Sequence, residues 1–177
     1  MFNHIDLKLP KLERETIDGV RYYKVSDGDQ LKKLVSITSI TSHINRQIFI
    51  DWRKKIGEDE ANKITKAATS RGTDLHTLVE NYLQNTSELP EVQPISTHLF
   101  RIAKSDLDNI DNIHALEESM YSLELGIAGT VDCIAEYNGE LAIIDFKTSK
   151  NQNQGNGLII TLYSVLLMLA CYTNLLV

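Results

Sequence analysis

The sequence contains little cysteine: only Cys133 and Cys171 occur among its 177 residues. Two cysteines cannot supply a disulfide framework, a zinc site of the usual spacing or a four-cysteine iron–sulfur cluster. The N-terminus also lacks the continuous apolar run of a signal peptide, because Asp6, Lys8 and Lys11 interrupt it. We therefore expect an intracellular, cytoplasmic protein without an iron–sulfur cluster.

Basic residues are scarce in the second part of the chain. The net charge is −6, yet residues 1–71 hold fourteen of the eighteen Lys and Arg and ten of the twenty-four acids, a net of +4. Residues 72–177 hold four bases and fourteen acids, a net of −10. This division favours phosphate binding by the first part and metal binding by the second. A basic segment can equally be an ordinary solvated surface.

Two apolar runs near the C-terminus, Thr130–Tyr137 and Glu140–Lys147, flank the dipeptide Asn138-Gly139. This dipeptide is typical of a two-residue type I′ turn, in which both central residues have positive φ. The sequence therefore predicts a β-hairpin. Its register places Asp132 directly opposite Asp145.

The predicted hairpin gathers Asp132, Asp145 and Lys147 on one face, because alternate residues of a strand share a face. Two close carboxylates repel each other unless a cation lies between them, and oxygen ligands suit Mg²⁺ or Mn²⁺. A neighbouring lysine can orient a water molecule or stabilise charge that develops on a phosphate. The alternative is a surface hairpin with an ordinary Asp–Lys pair.

A predicted helix over Glu58–Leu83 contains the sequence Arg71-Gly72-Thr73-Asp74-Leu75-His76. Gly72 and His76 lie one turn apart on the same face of this helix. A glycine inside a helix costs about 1 kcal/mol relative to alanine, so we expect it to mark a close approach to the sheet. His76 is either a metal ligand or a histidine whose hydrogen bonds are satisfied within a helix interface.

The other predicted elements are, in order, an extension with a hairpin at Asp18-Gly19 in residues 1–35, a strand over Val35–Ile40, helices over Ile44–Ile56 and Ser96–Ile110, and a strand over Ala115–Leu125. Thr41 or Ser42 is a candidate N-cap for the first helix. If Leu125-Gly126 forms a two-residue turn, Glu117 shares the face of Asp132.

The segment from Gly129 to Lys150, with Asp132 followed by Asp145-Phe146-Lys147, resembles the PD-(D/E)XK nuclease superfamily. It is most similar to the RecB-type branch that includes the mitochondrial genome maintenance exonuclease and phage exonucleases. Three further blocks extend the resemblance back to residue 36: Ser36-Ile37-Thr38 with the Trp52-Arg53 helix, Arg71 to His76, and Ala115-Leu116-Glu117. The resemblance implies an α/β, restriction-endonuclease-like core over residues 36–177, in which helices precede a three-strand antiparallel meander. A phage-encoded protein is compatible with it.

The resemblance also implies a metal-dependent exonuclease that acts on single-stranded DNA or DNA ends during replication, recombination or repair. Asp132 and Asp145 would bind Mg²⁺ or Mn²⁺, and His76, Glu117 and the backbone carbonyl of Phe146 would complete the ligand shell. Lys147 would position the attacking water. The residues expected to contact DNA are Ser36, Thr38, Arg53, Arg71, Thr148 and Ser149. A monomer is expected.

The resemblance fails after Lys150, where a RecB-type nuclease continues into a helix with a Gln-x-x-x-Tyr element. Here Leu158–Val177 contains no charged residue. This apolar tail has three interpretations: a membrane anchor, since about 20 residues can span a bilayer, a buried helix of the nuclease core, or a truncated or out-of-frame C-terminus. The abrupt change of composition favours the third. A catalytically inactive, DNA-binding remnant is therefore the alternative to an active enzyme.

Overall fold

The structure, a computed structural model, describes residues 1–151 and 155–164. Its strands are β1 (Glu13–Ile17), β2 (Val20–Asp27), β3 (Gln30–Ser36), β4 (Ile110–Ser122), β5 (Ile127–Tyr137), β6 (Glu140–Asn151) and β7 (Gly155–Ser164). Its helices are α1 (Ile37–Ile44), α2 (Arg46–Ile56), α3 (Glu58–Leu83) and α4 (Pro94–Leu107). The predicted α/β class is confirmed, and α3 has the predicted bounds.

The described strands form one seven-stranded sheet, in which β5 is the central element. β4 pairs with β5 along one edge, from Ile127 to Tyr137. The other edge of β5 is shared: β3 runs parallel to its first two residues, and β6 runs antiparallel to Cys133–Tyr137. On this edge residues 129–132 have no ladder partner among the described strands. The sheet therefore opens between β3 and β6.

Both predicted two-residue hairpins are confirmed. Asn138 and Gly139 have φ of 53° and 83°, and Asp18 and Gly19 have φ of 51° and 78°, as a type I′ turn requires. The register of β5 and β6 runs from Tyr137↔Glu140 to Cys133↔Ile144, as predicted. The hairpin of the N-terminal extension belongs to the same sheet, because β3 continues it and pairs with β5.

The strand predicted over Val35–Ile40 is misplaced, because β3 begins five residues earlier, at Gln30, and contains only Val35 and Ser36 of the predicted range. It ends at Ser36, and Ile37 begins α1, so neither Thr41 nor Ser42 is the N-cap of a later helix. The β-branched residues of this segment suit a strand, but α1 packs against β2, β3 and β5, and such tertiary packing outweighs local propensity.

Helices α3 and α4 are held on the sheet by a buried apolar cluster. It contains Leu75, Leu78, Val79 and Leu83 of α3, Leu99, Phe100 and Leu107 of α4, and Cys133, Ile144 and Phe146 of the sheet. Each fully buried side chain of this size contributes about 1.5–3 kcal/mol. Burial also raises the pKa of the Cys133 thiol to about 12, which makes this thiol a core residue rather than a nucleophile. This packing fixes the face of α3 that carries His76 against β5 and β6.

The first part of the apolar tail is a strand. β7 pairs antiparallel with β6 from Asn151↔Gly155 to Ala142↔Ser164. Both helical interpretations of the tail are therefore wrong for residues 158–164. Across the described ranges, no helix combines the length and apolar character needed to cross a membrane. Residues 165–177 lie outside the described part of the chain. The interpretation of the tail as a truncated or out-of-frame C-terminus depends on these residues and is therefore not tested.

One side chain of α3 anchors the start of α4. The Asp74 carboxylate accepts hydrogen bonds from the Gln93 backbone N–H at 3.3 Å and from the buried Ser96 hydroxyl at 3.0 Å. Gln93 precedes α4 and makes no side-chain cap of its own. Asp74 therefore serves as the N-terminal cap of a neighbouring helix, a role that no sequence pattern indicated.

We predict that Asp74→Ala lowers the free energy of unfolding by about 1–2 kcal/mol, because both donors at the start of α4 lose their acceptor. Urea unfolding followed by circular dichroism measures this loss. Asp106→Ala, which removes an exposed acid of α4, is the matched control and is expected to change stability by less than about 0.5 kcal/mol. Equal effects of the two substitutions would contradict the capping role.

Candidate metal centre

Three potential metal ligands from three different elements meet beside the opening in the sheet. They are His76 of α3, Glu117 of β4 and Asp132 of β5, and their ligand atoms lie within 4.8 Å of one another. His76 Nδ1 is 3.3 Å from Glu117 Oε1 and 4.0 Å from Asp132 Oδ2. These separations allow a single ion with ligand distances of about 2.0–2.2 Å to be bound by all three after small side-chain movements.

Glu117 reaches this group because the pairing of β4 with β5 on either side of it places it opposite Asp132. Leu116 pairs with Cys133 and Glu118 with Val131, so Glu117 lies opposite Asp132 with a φ of 52°. A positive φ at a residue other than glycine costs about 1–3 kcal/mol and is typical of functional positions. The strand continues on both sides of this residue and thereby maintains the strained conformation.

The predicted two-residue turn at Leu125-Gly126 is wrong. Ser122 pairs with Ile127, so the connection contains four residues and the register moves by two positions. Because side chains alternate with a period of two, an even shift leaves Glu117 on the predicted face. Glu117 therefore shares the face of Asp132 as expected, although the turn from which this was predicted is wrong.

The backbone of Phe146, on β6, contacts the β5 side chain Asp132 just beyond the end of the ladder between these two strands. Its N–H donates a hydrogen bond to Asp132 Oδ2 at 2.8 Å, and the same backbone also contributes to the raised pKa of His76. The ladder ends one pair earlier, at Cys133 and Ile144, so Asp132 is not paired with Asp145 through the backbone as the predicted register implied. The Asp132 side chain takes the place of the missing ladder acceptor.

Asp145 and Lys147 form an ion pair beside this group. Lys147 Nζ lies 2.6 Å from Asp145 Oδ2, and the lysine side chain is 60% exposed. Asp145 does not belong to the set of three whose ligand atoms lie within 4.8 Å, although its charge is close enough to raise the pKa of Asp132. The structure thus brings the predicted residues into one neighbourhood and separates Asp145 from the nearest three.

Burial is the main reason that the pKa of Asp132 is raised, and the charges of Asp145 and Glu117 add to it. The hydrogen bond from Phe146 and the charge of His76 oppose this rise. Carboxylates that are close together and partly desolvated favour a bound cation over three separate negative charges. One imidazole nitrogen with carboxylate and carbonyl oxygens suits Mn²⁺ or Mg²⁺.

The residues predicted to contact DNA have varied surroundings. Ser36 is fully buried, and its Oγ lies 2.6 Å from Oγ1 of the exposed Thr38. Arg53 is engaged within the chain, by Glu58 and by Asn62.

Three further predicted DNA contacts lie on α3 and β6. Arg71 is half-buried, and its buried Nε has no hydrogen-bond partner among the described residues. Thr148 and Ser149 continue β6, opposite Leu158 and Gly157, and the Ser149 side chain lies outside the described part.

No family model matches the chain. Mitochondrial genome maintenance exonuclease 1 of Homo sapiens is 27% identical over 113 residues, which cover 59% of this chain and 33% of that protein. The Xenopus tropicalis protein of the same name is 31% identical over 104 residues, 56% of this chain and 30% of its own length. The Mus musculus protein is 29% identical over 131 residues, 68% of this chain and 38% of its own length.

The chain therefore spans about a third of the length of the curated relatives that it matches. All three carry the name of an exonuclease.

The predicted close approach at Gly72 is wrong, because a Cβ added there would meet no atom within 4 Å. We predict that Gly72→Ala raises the free energy of unfolding by up to about 1 kcal/mol, since alanine is the better helix former. Thermal and urea unfolding measure the change. Thr69→Ala, at an exposed position of the same helix, is a control for helix propensity alone. A destabilised Gly72→Ala protein would restore the close-approach interpretation.

We predict that the pKa of His76 is raised in EDTA and falls in Glu117→Gln, because the hydrogen bond to Glu117 is the largest cause of the rise and the charge of Asp132 adds to it. The raised value belongs to the folded state. The interaction therefore stabilises the fold fully below the ordinary histidine pKa of 6.5, and this stabilisation is lost as the pH rises through the raised value. Histidine NMR titration measures the pKa, and an unchanged value in Glu117→Gln would contradict the assignment.

Proposed function

We propose that this chain is a metal-dependent exonuclease of the PD-(D/E)XK type, RecB branch, which hydrolyses phosphodiester bonds of single-stranded DNA or DNA ends. The observation that carries the proposal is the convergence of His76, Glu117 and Asp132 beside the Asp145–Lys147 pair. The names of the similar proteins support the same reaction class. Residues 36–177 would form the nuclease domain and residues 1–35 its extension.

The three converging side chains would hold Mg²⁺ or Mn²⁺, with Asp145 and the Phe146 carbonyl as further ligands. A bound ion would supply Lewis acidity at the scissile phosphate and lower the pKa of water. Asp132 is oriented for ligation by the Phe146 N–H, which occupies one of its oxygen atoms. His76 must lose a proton before its nitrogen can bind a cation, and its raised pKa makes metal binding weaker at acidic pH.

Lys147 would act on the reacting phosphate. Its ammonium group lies on the exposed side of the site, next to Asp145, where it can orient water and stabilise negative charge on the phosphoryl oxygens. In the reaction the water oxygen forms a bond to phosphorus and the ester P–O bond breaks. The released sugar oxygen takes up a proton, and a terminal phosphate and a hydroxyl remain.

The predicted DNA contacts would position the strand for this step. Arg71 is the best-supported candidate among them, since its buried Nε has no hydrogen-bond partner among the described residues and its helix also carries His76. Ser36, Thr38, Arg53, Thr148 and Ser149 would supply the remaining contacts. We further propose an intracellular monomer that works in replication, recombination or repair.

One observation favours a second candidate, a DNA-binding module without catalysis. Asp145 is engaged by Lys147 and lies outside the three nearest potential ligands. A site that lacks this carboxylate would bind a cation weakly and would hold it in the wrong position for hydrolysis. Such a protein would bind DNA and would not cleave it.

The test is nucleotide release from end-labelled single-stranded DNA with Mg²⁺, Mn²⁺ or EDTA. Wild-type protein should require the metal, and Asp132→Asn and Lys147→Ala should each lower the rate by at least about 100-fold, because each removes a group that acts on the reacting phosphate. Asp106→Asn, an exposed acid of α4, is the charge-matched control and should retain the wild-type rate.

Two outcomes would decide against an exonuclease. Cleavage that persists in EDTA or in Asp132→Asn would contradict the proposed centre. DNA binding without cleavage in a folded wild-type sample would support the second candidate, the non-catalytic module.

A further inference from the structure

A groove of about 580 Å³ lies between the turn that joins β1 to β2 and the helix α1. Its lining includes Arg21, Arg46, His43 and four hydroxyl residues, among them Thr38, Ser39 and Ser42. Among the described residues that line it, Asp18 is the only acid. Of these side chains the sequence analysis named Thr38 as a DNA contact and Ser42 as a candidate cap. The others lie on three separate elements and form no motif.

The two arginines of this groove are not neutralised by the protein. Neither Arg21 nor Arg46 forms an ion pair within the described ranges. The lysines of the adjoining hairpins differ: Lys24 pairs with Glu13 and Glu15, Lys33 with Glu15 and Lys32 with Asp27. Unpaired guanidinium groups that share a groove with one acid leave an excess of positive charge, which an anion would balance.

The groove also presents hydrogen-bond donors. Ser39 Oγ accepts a hydrogen bond from the Arg21 backbone N–H at 2.9 Å, so its own hydroxyl hydrogen is available to a ligand. Helix α1 begins beside Thr38 and Ser39, with no side-chain cap from Ser36 and no acidic residue in its first turn. The partial positive charge of this helix terminus is therefore uncompensated by a nearby carboxylate.

We propose that this groove binds a backbone phosphate of a nucleic acid strand. Guanidinium groups match the geometry of phosphate oxygens, and hydroxyls supply the additional donors that a tetrahedral anion accepts. The proposal rests on the proposed function in that the strand is the substrate of the metal centre.

The position of the groove in the sheet suits such a strand. Ser36, directly before α1, pairs with Ala128, and Asp132 follows four residues later on β5. Four residues of a strand span roughly 13 Å, a distance that a few nucleotides can bridge. The groove would hold the strand while one of its linkages lies at the metal centre.

The test is the affinity for a fluorescent single-stranded oligonucleotide of about 20 nucleotides, a length that exceeds common site sizes. It is measured by anisotropy in EDTA at several salt concentrations. We expect Arg21→Gln/Arg46→Gln to bind about tenfold more weakly, with a salt slope reduced by about 0.7 for each phosphate that the protein no longer neutralises. Arg14→Gln/Arg101→Gln removes two exposed arginines outside the groove and is expected to change both quantities little. Circular dichroism establishes that both proteins are folded.

Wild-type affinity in the Arg21/Arg46 variant, an equal loss in the Arg14/Arg101 control, or no binding by wild-type protein would overturn the proposal. A second assay tests the proposed function independently of the groove. It measures hydrolysis of a p-nitrophenyl ester of thymidine monophosphate, a substrate that is too short to reach the groove. The groove variant should retain this activity, whereas Asp132→Asn should lose it. If the wild-type protein binds DNA through the groove but hydrolyses neither single-stranded DNA nor the p-nitrophenyl ester, the exonuclease proposal is refuted. The proposal that the groove binds a phosphate would still hold.

Discussion

The constraint on which the candidate centre depends is the shared edge of β5. β3 and β6 both pair with this edge, at opposite ends, and residues 129–132 between them have no ladder partner in the described structure. Backbone groups that leave a ladder must find other partners. Phe146 does so through its N–H, which donates a hydrogen bond to the Asp132 side chain. The potential ligands therefore lie beside the part of the β5 edge that has no ladder partner in the described structure.

This arrangement places like charges together, and packing elsewhere holds them there. Glu117, Asp132 and Asp145 are close enough to affect one another, and Glu117 also has an unfavourable φ. The apolar cluster between α3, α4 and the sheet fixes the elements that carry these residues. Without metal, His76 with its raised pKa and Lys147 offset part of the repulsion. A cation would replace the proton on His76, so metal binding and deprotonation are coupled.

The sequence predicted those features that depend on short-range rules. The Asn138-Gly139 turn determines the β5–β6 register, and helical periodicity gave α3 with its correct bounds. The alternation of side chains placed Glu117 on the right face even though the turn before β5 was wrong. Each of these rules involves neighbours in the chain or a period of two, so one sequence is sufficient to apply it.

Features that depend on partners distant in sequence could not be predicted in this way. The end of β3 at Ser36 follows from packing of α1 on three strands, and the role of Asp74 follows from the position of α4. The β5–β6 ladder ends at Cys133 and Ile144, before Asp132 and Asp145, and no local pattern encodes this end. The empty space beside Gly72 shows the same limit, since its helical cost was visible in the sequence and its surroundings were not.

In this fold the basic and the acidic parts of the sequence lie on different secondary-structure elements. The basic N-terminal residues form β1 to β3, α1, α2 and the first part of α3, whereas the acidic ligands lie on β4 to β6. The parallel pairing of β3 with β5 joins the two parts in one sheet. A nucleic acid strand needs positive charge along its backbone and a cation only at the linkage that is cut. In the proposed function, this separation would keep the basic groups from neutralising the carboxylates that bind the metal. Lys147 would be the exception, because its charge would act at the reacting phosphate.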